Sequence, residues 1–132
     1  MRRIAAILLL FALAGCGSFA WLTGSAPVYA VFFDDGSIVL TAAGKSIVDH
    51  AADDARHHPG AMVEISGPST KAATGYDPAV SEARIHLVEQ SLIQDGIAPQ
   101  RLFRASSPAG KVKAGATGAQ RVEIRLVDKP TP

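Results

Sequence analysis

The chain has 132 residues, 48% of them hydrophobic and 19% charged, with a formal net charge of +1. That length and apolar content describe one small globular domain rather than a disordered chain. Thirteen basic against 12 acidic side chains lack the basic excess of a nucleic-acid binder, and a single cysteine excludes an internal disulfide framework or a multi-cysteine metal cluster.

Residues 1–15 read as a targeting segment. Arg2 and Arg3 precede the apolar run Ile4 to Ala14, and small residues follow. As a helix that run spans ~16 Å at about 1.5 Å per residue, while a bilayer core is about 30 Å thick. A secretory leader therefore fits better than a permanent transmembrane helix. Leu13-Ala14-Gly15-Cys16 resembles the lipobox of bacterial lipoproteins. The resemblance implies that Cys16 becomes the N-terminus and carries two or three acyl chains, enough for stable anchoring. It also implies the periplasmic face of the outer membrane, because Gly17 stands where an inner-membrane lipoprotein often has Asp. Loss of Arg2 and Arg3 with the leader turns the net charge from +1 to −1.

Residues 16–27 are expected to form the lipidated N-terminus and a tether. Gly17, Ser18, Gly24, Ser25 and Pro27 surround the patch Phe19-Ala20-Trp21-Leu22, which either rests on the membrane surface or packs on the domain. Gly17 to Pro27 reach at most about 36–40 Å, so the domain stays near its membrane.

Residues 28–132 hold the domain. Val28 to Phe33 is a β-branched and aromatic strand, and Asp34-Asp35-Gly36-Ser37 is a turn. Thr41 caps a helix running to about His57, with Ile47, Val48, Ala51, Ala52 and Ala55 on its apolar face. Pro59-Gly60 stops it, and Ala61 to Ile65 is a second strand. Residues 66–76 form a loop. Asp77-Pro78 starts a second helix, which runs to about Asp95 and ends at Gly96. It is expected to bury Val80, Leu87, Val88 and Leu92, flanked by Ile85 and Ile93. Leu102 to Ala105 is a short strand, residues 106–119 a loop. In Arg121 to Val127 apolar Val122, Ile124 and Leu126 alternate with charged Arg121, Glu123 and Arg125, the pattern of a strand wet on one face and paired antiparallel. The order β-α-β-α-β-β implies an α+β fold, two helices on one face of a mixed four-stranded sheet. The first two strands and their helix form a crossover unit.

Four segments carry a family resemblance. Val31 to Thr41, Val80-Ser81-Glu82-Ala83-Arg84, Asp95 to Leu102 and Gln120-Arg121-Val122-Glu123-Ile124 resemble, in order and spacing, the OmpA-like C-terminal domain. That family contains lipoproteins that link the outer membrane to the cell wall. The resemblance implies non-covalent binding of peptidoglycan at the diaminopimelate of its stem peptide, without catalysis or cofactor. This ligand presents a carboxylate beside an ammonium, and a guanidinium with a carboxylate is the matched answer.

By resemblance Arg84 is the carboxylate clamp. Its bland reading is a surface arginine paired with Glu82 or Glu89. The family's loop Asp is replaced within Gly67-Pro68-Ser69-Thr70, where Thr70 or Ser69 takes its position and offers a hydroxyl without charge. Asp77 either supplies the missing charge or caps the helix. Ala119-Gln120 stand where the family usually has Asn-Arg. These departures define the alternative function, a degenerate domain serving as a protein-interaction or envelope-assembly module.

Other chemistries find less support. His50, Asp54 and His57 share a helix face, but metal sites need convergent ligands with outer support, and a solvated helix end explains them. No G-x-S-x-G elbow accompanies the serines, and the glycine-rich stretches lack phosphate-loop spacing.

Overall fold

The computed structural model describes residues 26–68, 76–106 and 120–128. Cys16, Ser69 and Thr70, and with them the leader, the tether patch and most of the two long loops, lie outside the described residues.

Four strands and two helices follow in the expected order: β1 Val28–Phe32, α1 Ala42–His57, β2 Ala61–Gly67, α2 Pro78–Gln94, β3 Leu102–Ser106 and β4 Arg121–Asp128. Local signals set the ends. The Thr41 hydroxyl accepts from Gly44 N at 3.0 Å to open α1. Asp77 and Pro78 open α2 as an N-cap and a first helical residue with no N–H to lose. At the other end Gly96, at φ +92°, lets Ile97 N reach Leu92 O and Gly96 N reach Ile93 O, both at 3.0 Å. That pair of bonds is a Schellman stop, and it turns Ile97 into the core.

The strands form one sheet of order β1-β4-β2-β3. β4 is antiparallel to both β1 and β2, and β2 is parallel to β3. The alternation read in β4 is real: Val122, Ile124 and Leu126 are buried and the residues between them are not. Register puts Val122 opposite Val31, Ile124 opposite Tyr29 and Ile65, and Leu126 opposite Val63. This single apolar face receives both helices, giving an α+β layer pair. β1 and β2 belong to one crossover, but β4 lies between them, so they are not neighbours.

Two details differ from the sequence reading. Pro99–Arg101 form a 3-10 turn before β3. The buried stripe of α2 is also rotated. It consists of Ser81, Arg84, Val88, Ser91 and Leu92, while Val80, Ile85, Leu87 and Ile93 are only half-buried. Val88 and Leu92 are buried as expected, but three of the five buried side chains are polar, which apolar periodicity does not find. The small serines have a steric role. A Cβ on Gly67 would lie 2.9 Å from Ile85 Cδ1 and 3.0 Å from Ser81 Oγ, so Gly67 and Ser81 together allow α2 to lie close on β2. α1 matches expectation, with Val48, Ala51, Ala52 and Ala55 buried, joined by Gly44.

Candidate functional site

The site residues gather where the chain leaves β1 and where α2 begins. Phe33 N donates to Gln120 O at 2.8 Å, which carries the β1–β4 ladder one residue beyond β1. The chain then turns. Ser37 N donates to Asp34 O at 3.0 Å, with Gly36 at φ +65°, a left-handed conformation that glycine adopts without strain. Val39 N donates to Ser37 Oγ at 3.1 Å, tightening the same turn.

Arg84 reaches this turn from the second helical turn of α2. Its residue is 4% exposed. Nε donates to Ser37 O at 2.7 Å and Nη2 donates to Asp34 O at 3.0 Å. The guanidinium carbon sits 5.1 Å from the centroid of the Phe33 ring, a cation–π distance. Burial pulls the guanidinium below the ordinary arginine range, and the nearby Asp35 carboxylate pushes back. These two carbonyl oxygens accept hydrogen bonds without adding a countercharge of their own, and the guanidinium is buried at the junction of turn and helix with Asp35 nearby.

Glu82 and Glu89, the ion-pair partners of the bland reading, bind Arg104 on β3 instead. Arg104 Nε and Nη2 meet the two Glu89 oxygens at 2.6 and 2.7 Å, a bidentate pair, and Nη1 donates to Glu82. Arg104 holds the Glu89 carboxyl below its usual range, outweighing burial.

Asp77 is exposed and caps α2. Its Oδ1 accepts from Ala79 N at 2.8 Å and from Val80 N at 3.3 Å. It precedes Arg84 by seven residues, two helical turns, and so stands on the same side of α2 about 10 Å further toward the N-terminus. The expected hydroxyl positions, Ser69 and Thr70, lie outside the described residues.

Two residues named in the sequence only as part of a turn and of a matched segment meet at the site. Asp35 presents an exposed carboxylate on the turn that Arg84 braces. Gln120, at the start of β4, donates from Nε2 to Asp35 Oδ1 at 3.0 Å. A further arginine, Arg101, works at the opposite end of the sheet. Nε donates to Ala61 O at 2.9 Å, and Nη2 to Ala55 O at 2.9 Å and His58 O at 2.8 Å. It ties the C-terminus of α1 to the start of β2. The Arg-Leu that closes the third matched segment was the signal, but sequence does not show which carbonyls an arginine will collect.

The histidine-carboxylate face of α1 is otherwise engaged. Tyr29 OH donates to Asp54 Oδ2, and burial, with Asp54 beside it, raises the phenol above its ordinary range. The His57 ring meets Asp53 O at 2.8 Å. Among the described residues no group of three metal-ligating side chains converges, and no helix is long and apolar enough to cross a membrane.

No family model matches the chain, and no curated protein matches it by sequence. Solved structures do. The OmpA-like domain of FopA1 from Francisella tularensis is 20% identical over 77% of this chain and 75% of its own, with a TM-score of 0.59. The peptidoglycan-associated lipoprotein from Burkholderia pseudomallei is 21% identical over 76% of this chain and 90% of its own, with a TM-score of 0.55. The C-terminal domain of Helicobacter pylori MotB is 17% identical over 76% and 85%, with a TM-score of 0.60. The α+β fold is therefore that of the OmpA-like domain.

Proposed function

We propose that this chain is a lipid-anchored envelope protein whose OmpA-like domain binds peptidoglycan non-covalently. Cys16 carries the acyl chains and holds the protein at the periplasmic face of the outer membrane. The domain grips the diaminopimelate of the stem peptide, linking membrane to wall without catalysis. The fold is shared with a protein described as a peptidoglycan-associated lipoprotein.

One observation carries the reading: a buried guanidinium, Arg84, stands beside an exposed carboxylate, Asp35, on one braced turn. A zwitterionic ligand needs that juxtaposition. In this reading Arg84 clamps the ligand carboxylate. Asp35, held in place by Gln120, meets the ammonium together with the hydroxyl of Thr70 or Ser69. Asp77 lends a second negative charge at the helix start, its Oδ1 already engaged in the cap. The missing loop Asp then weakens the site. One charge-assisted bond is worth about 1.5–3 kcal/mol, roughly a 10- to 100-fold loss of affinity.

The test is retention of the domain on purified peptidoglycan, followed by titration with a diaminopimelate-containing peptide watched at the amides of residues 66–84. Binding that falls on Arg84→Ala supports the site. Absence of any retention overturns the function. Thr70→Asp should raise affinity about tenfold or more, because it adds a charge opposite the ammonium.

The engagement of Arg84 with two carbonyls and of Asp77 with its own helix favours a second reading, in which both residues are structural and the domain is an envelope-assembly module with a protein partner. Co-purification with an envelope protein that survives digestion of the wall would support this second reading against the first.

A further inference from the structure

β1 is an edge strand of the sheet and, among the described residues, pairs on one side only, with β4. The bond from Phe33 N to Gln120 O sets the phase of that ladder. Phe33, Val31 and Tyr29 direct their main-chain groups to β4, and by the alternation of an antiparallel pair Val28, Ala30 and Phe32 direct theirs outward. The same three side chains stand on the sheet face opposite the helices. Val28 is 49% exposed and Phe32 45% exposed.

Native edges are commonly protected by charge, proline or a bulge. The segment Val28-Tyr29-Ala30-Val31-Phe32 has no charged residue and no proline. Pro27 precedes it, in the phase whose N–H would face β4, so it removes no outward donor. The strand is also self-complementary. Val28 and Phe32 lie symmetrically about Ala30, so an antiparallel copy centred on Ala30 sets each Val28 against the other copy's Phe32. All outward N–H and C=O groups then find partners. Because β1 carries no charge, no like-charge contact opposes the pairing.

We infer that the edge of β1 left unpaired among the described residues pairs antiparallel with β1 of a second copy of this chain, in register about Ala30, joining two sheets into one of twice the width. Five paired residues span about 17 Å at ~3.4 Å each. So short a strand pair falls below the roughly 1,200–2,000 Å² that stable interfaces bury. The dimer is therefore a weak one that forms where copies are concentrated. It is closed by two-fold symmetry and does not propagate. Nothing in it depends on wall binding.

Site-specific crosslinking of the full-length protein in detergent tests it, since a disulfide traps transient pairs. Under mild oxidation Ala30→Cys should add a dimer band to the wild-type pattern, with peptide mapping that links position 30 to position 30. Paired Cα atoms there lie about 5.5 Å apart, within disulfide reach. Phe32→Cys should not, because the two positions 32 would stand four residues out of register. Adding Val28→Asp and Phe32→Asp to the Ala30→Cys protein should lower the crosslinked fraction at least tenfold with an unchanged circular dichroism spectrum. No link between positions 30, equal linkage at 30 and 32, or a ladder extending beyond the dimer would overturn the inference.

Discussion

Replacing Arg84 by Met removes the cation of the candidate site while keeping most of the side chain's length. Three things change together. The carbonyls of Ser37 and Asp34 lose their 2.7 and 3.0 Å donors, and Phe33 loses the cation above its ring. Bonds to a charged donor are worth about 1.5–3 kcal/mol each, and a cation–π contact adds about 0.5–2 kcal/mol. Against this stands the cost of burying a guanidinium, which Met does not incur. Asp34 is exposed and Ser37 half-buried, so water can replace part of what their carbonyls lose. The balance is a destabilisation of about 2 kcal/mol. For a domain of this size that lowers Tm by roughly 8–16 °C. Thermal unfolding followed by circular dichroism measures it, with Arg84→Lys beside it as a variant that keeps charge but not the planar fork. The Lys variant should recover less than half of the loss. Binding of a diaminopimelate-containing peptide should fall at least tenfold in both. A Met variant that unfolds within 0.5 kcal/mol of wild type would refute the bracing role. A destabilised variant with unaltered affinity would refute the clamp and leave Arg84 structural.

Three further outcomes follow from the same contacts. Arg101→Ala strips donors from the carbonyls of Ala55, His58 and Ala61 and should cost about 2–4 kcal/mol in urea unfolding, with faster amide exchange at the end of α1. Asp77→Ala removes the cap of α2 and should cost about 1 kcal/mol; a loss confined to wall affinity would instead mark Asp77 as a ligand contact. Glu89 has a folded-state pKa below its ordinary 4.5, chiefly through Arg104. The pair's contribution is therefore complete above that ordinary value and is lost as pH falls through the folded one. Glu89→Gln should flatten the acid limb of the stability curve, and an unchanged acid limb would count against the pair.

Much of this fold is legible one segment at a time. Thr41, Asp77-Pro78 and Gly96 mark helix ends because their signals are local: a hydroxyl or carboxylate within three residues of an orphan N–H, a ring with no N–H, a residue free to take positive φ. The alternation of Arg121 to Val127 reveals a strand with one wet face for the same reason. The face of α2 is legible only in part, at Val88 and Leu92, because the rest of its buried stripe is Ser81, Arg84 and Ser91. Apolar periodicity weights residue type, while burial here follows from the close approach of helix to strand at Gly67 and from an arginine reaching a distant turn. Asp35 and Gln120 were in view as residues but not as a pair, being 85 positions apart.

What the residues determined unaided is therefore the list of elements and their order. Short-range sterics and hydrogen bonding decide those. Only the tertiary structure settled that β4 enters between β1 and β2, that β1 has no second strand partner among the described residues, and that Arg84 meets Asp34 and Ser37 across some fifty residues of chain. Such contacts depend on which surfaces close against one another, and a guanidinium in a helix carries no local mark of the carbonyls it will meet.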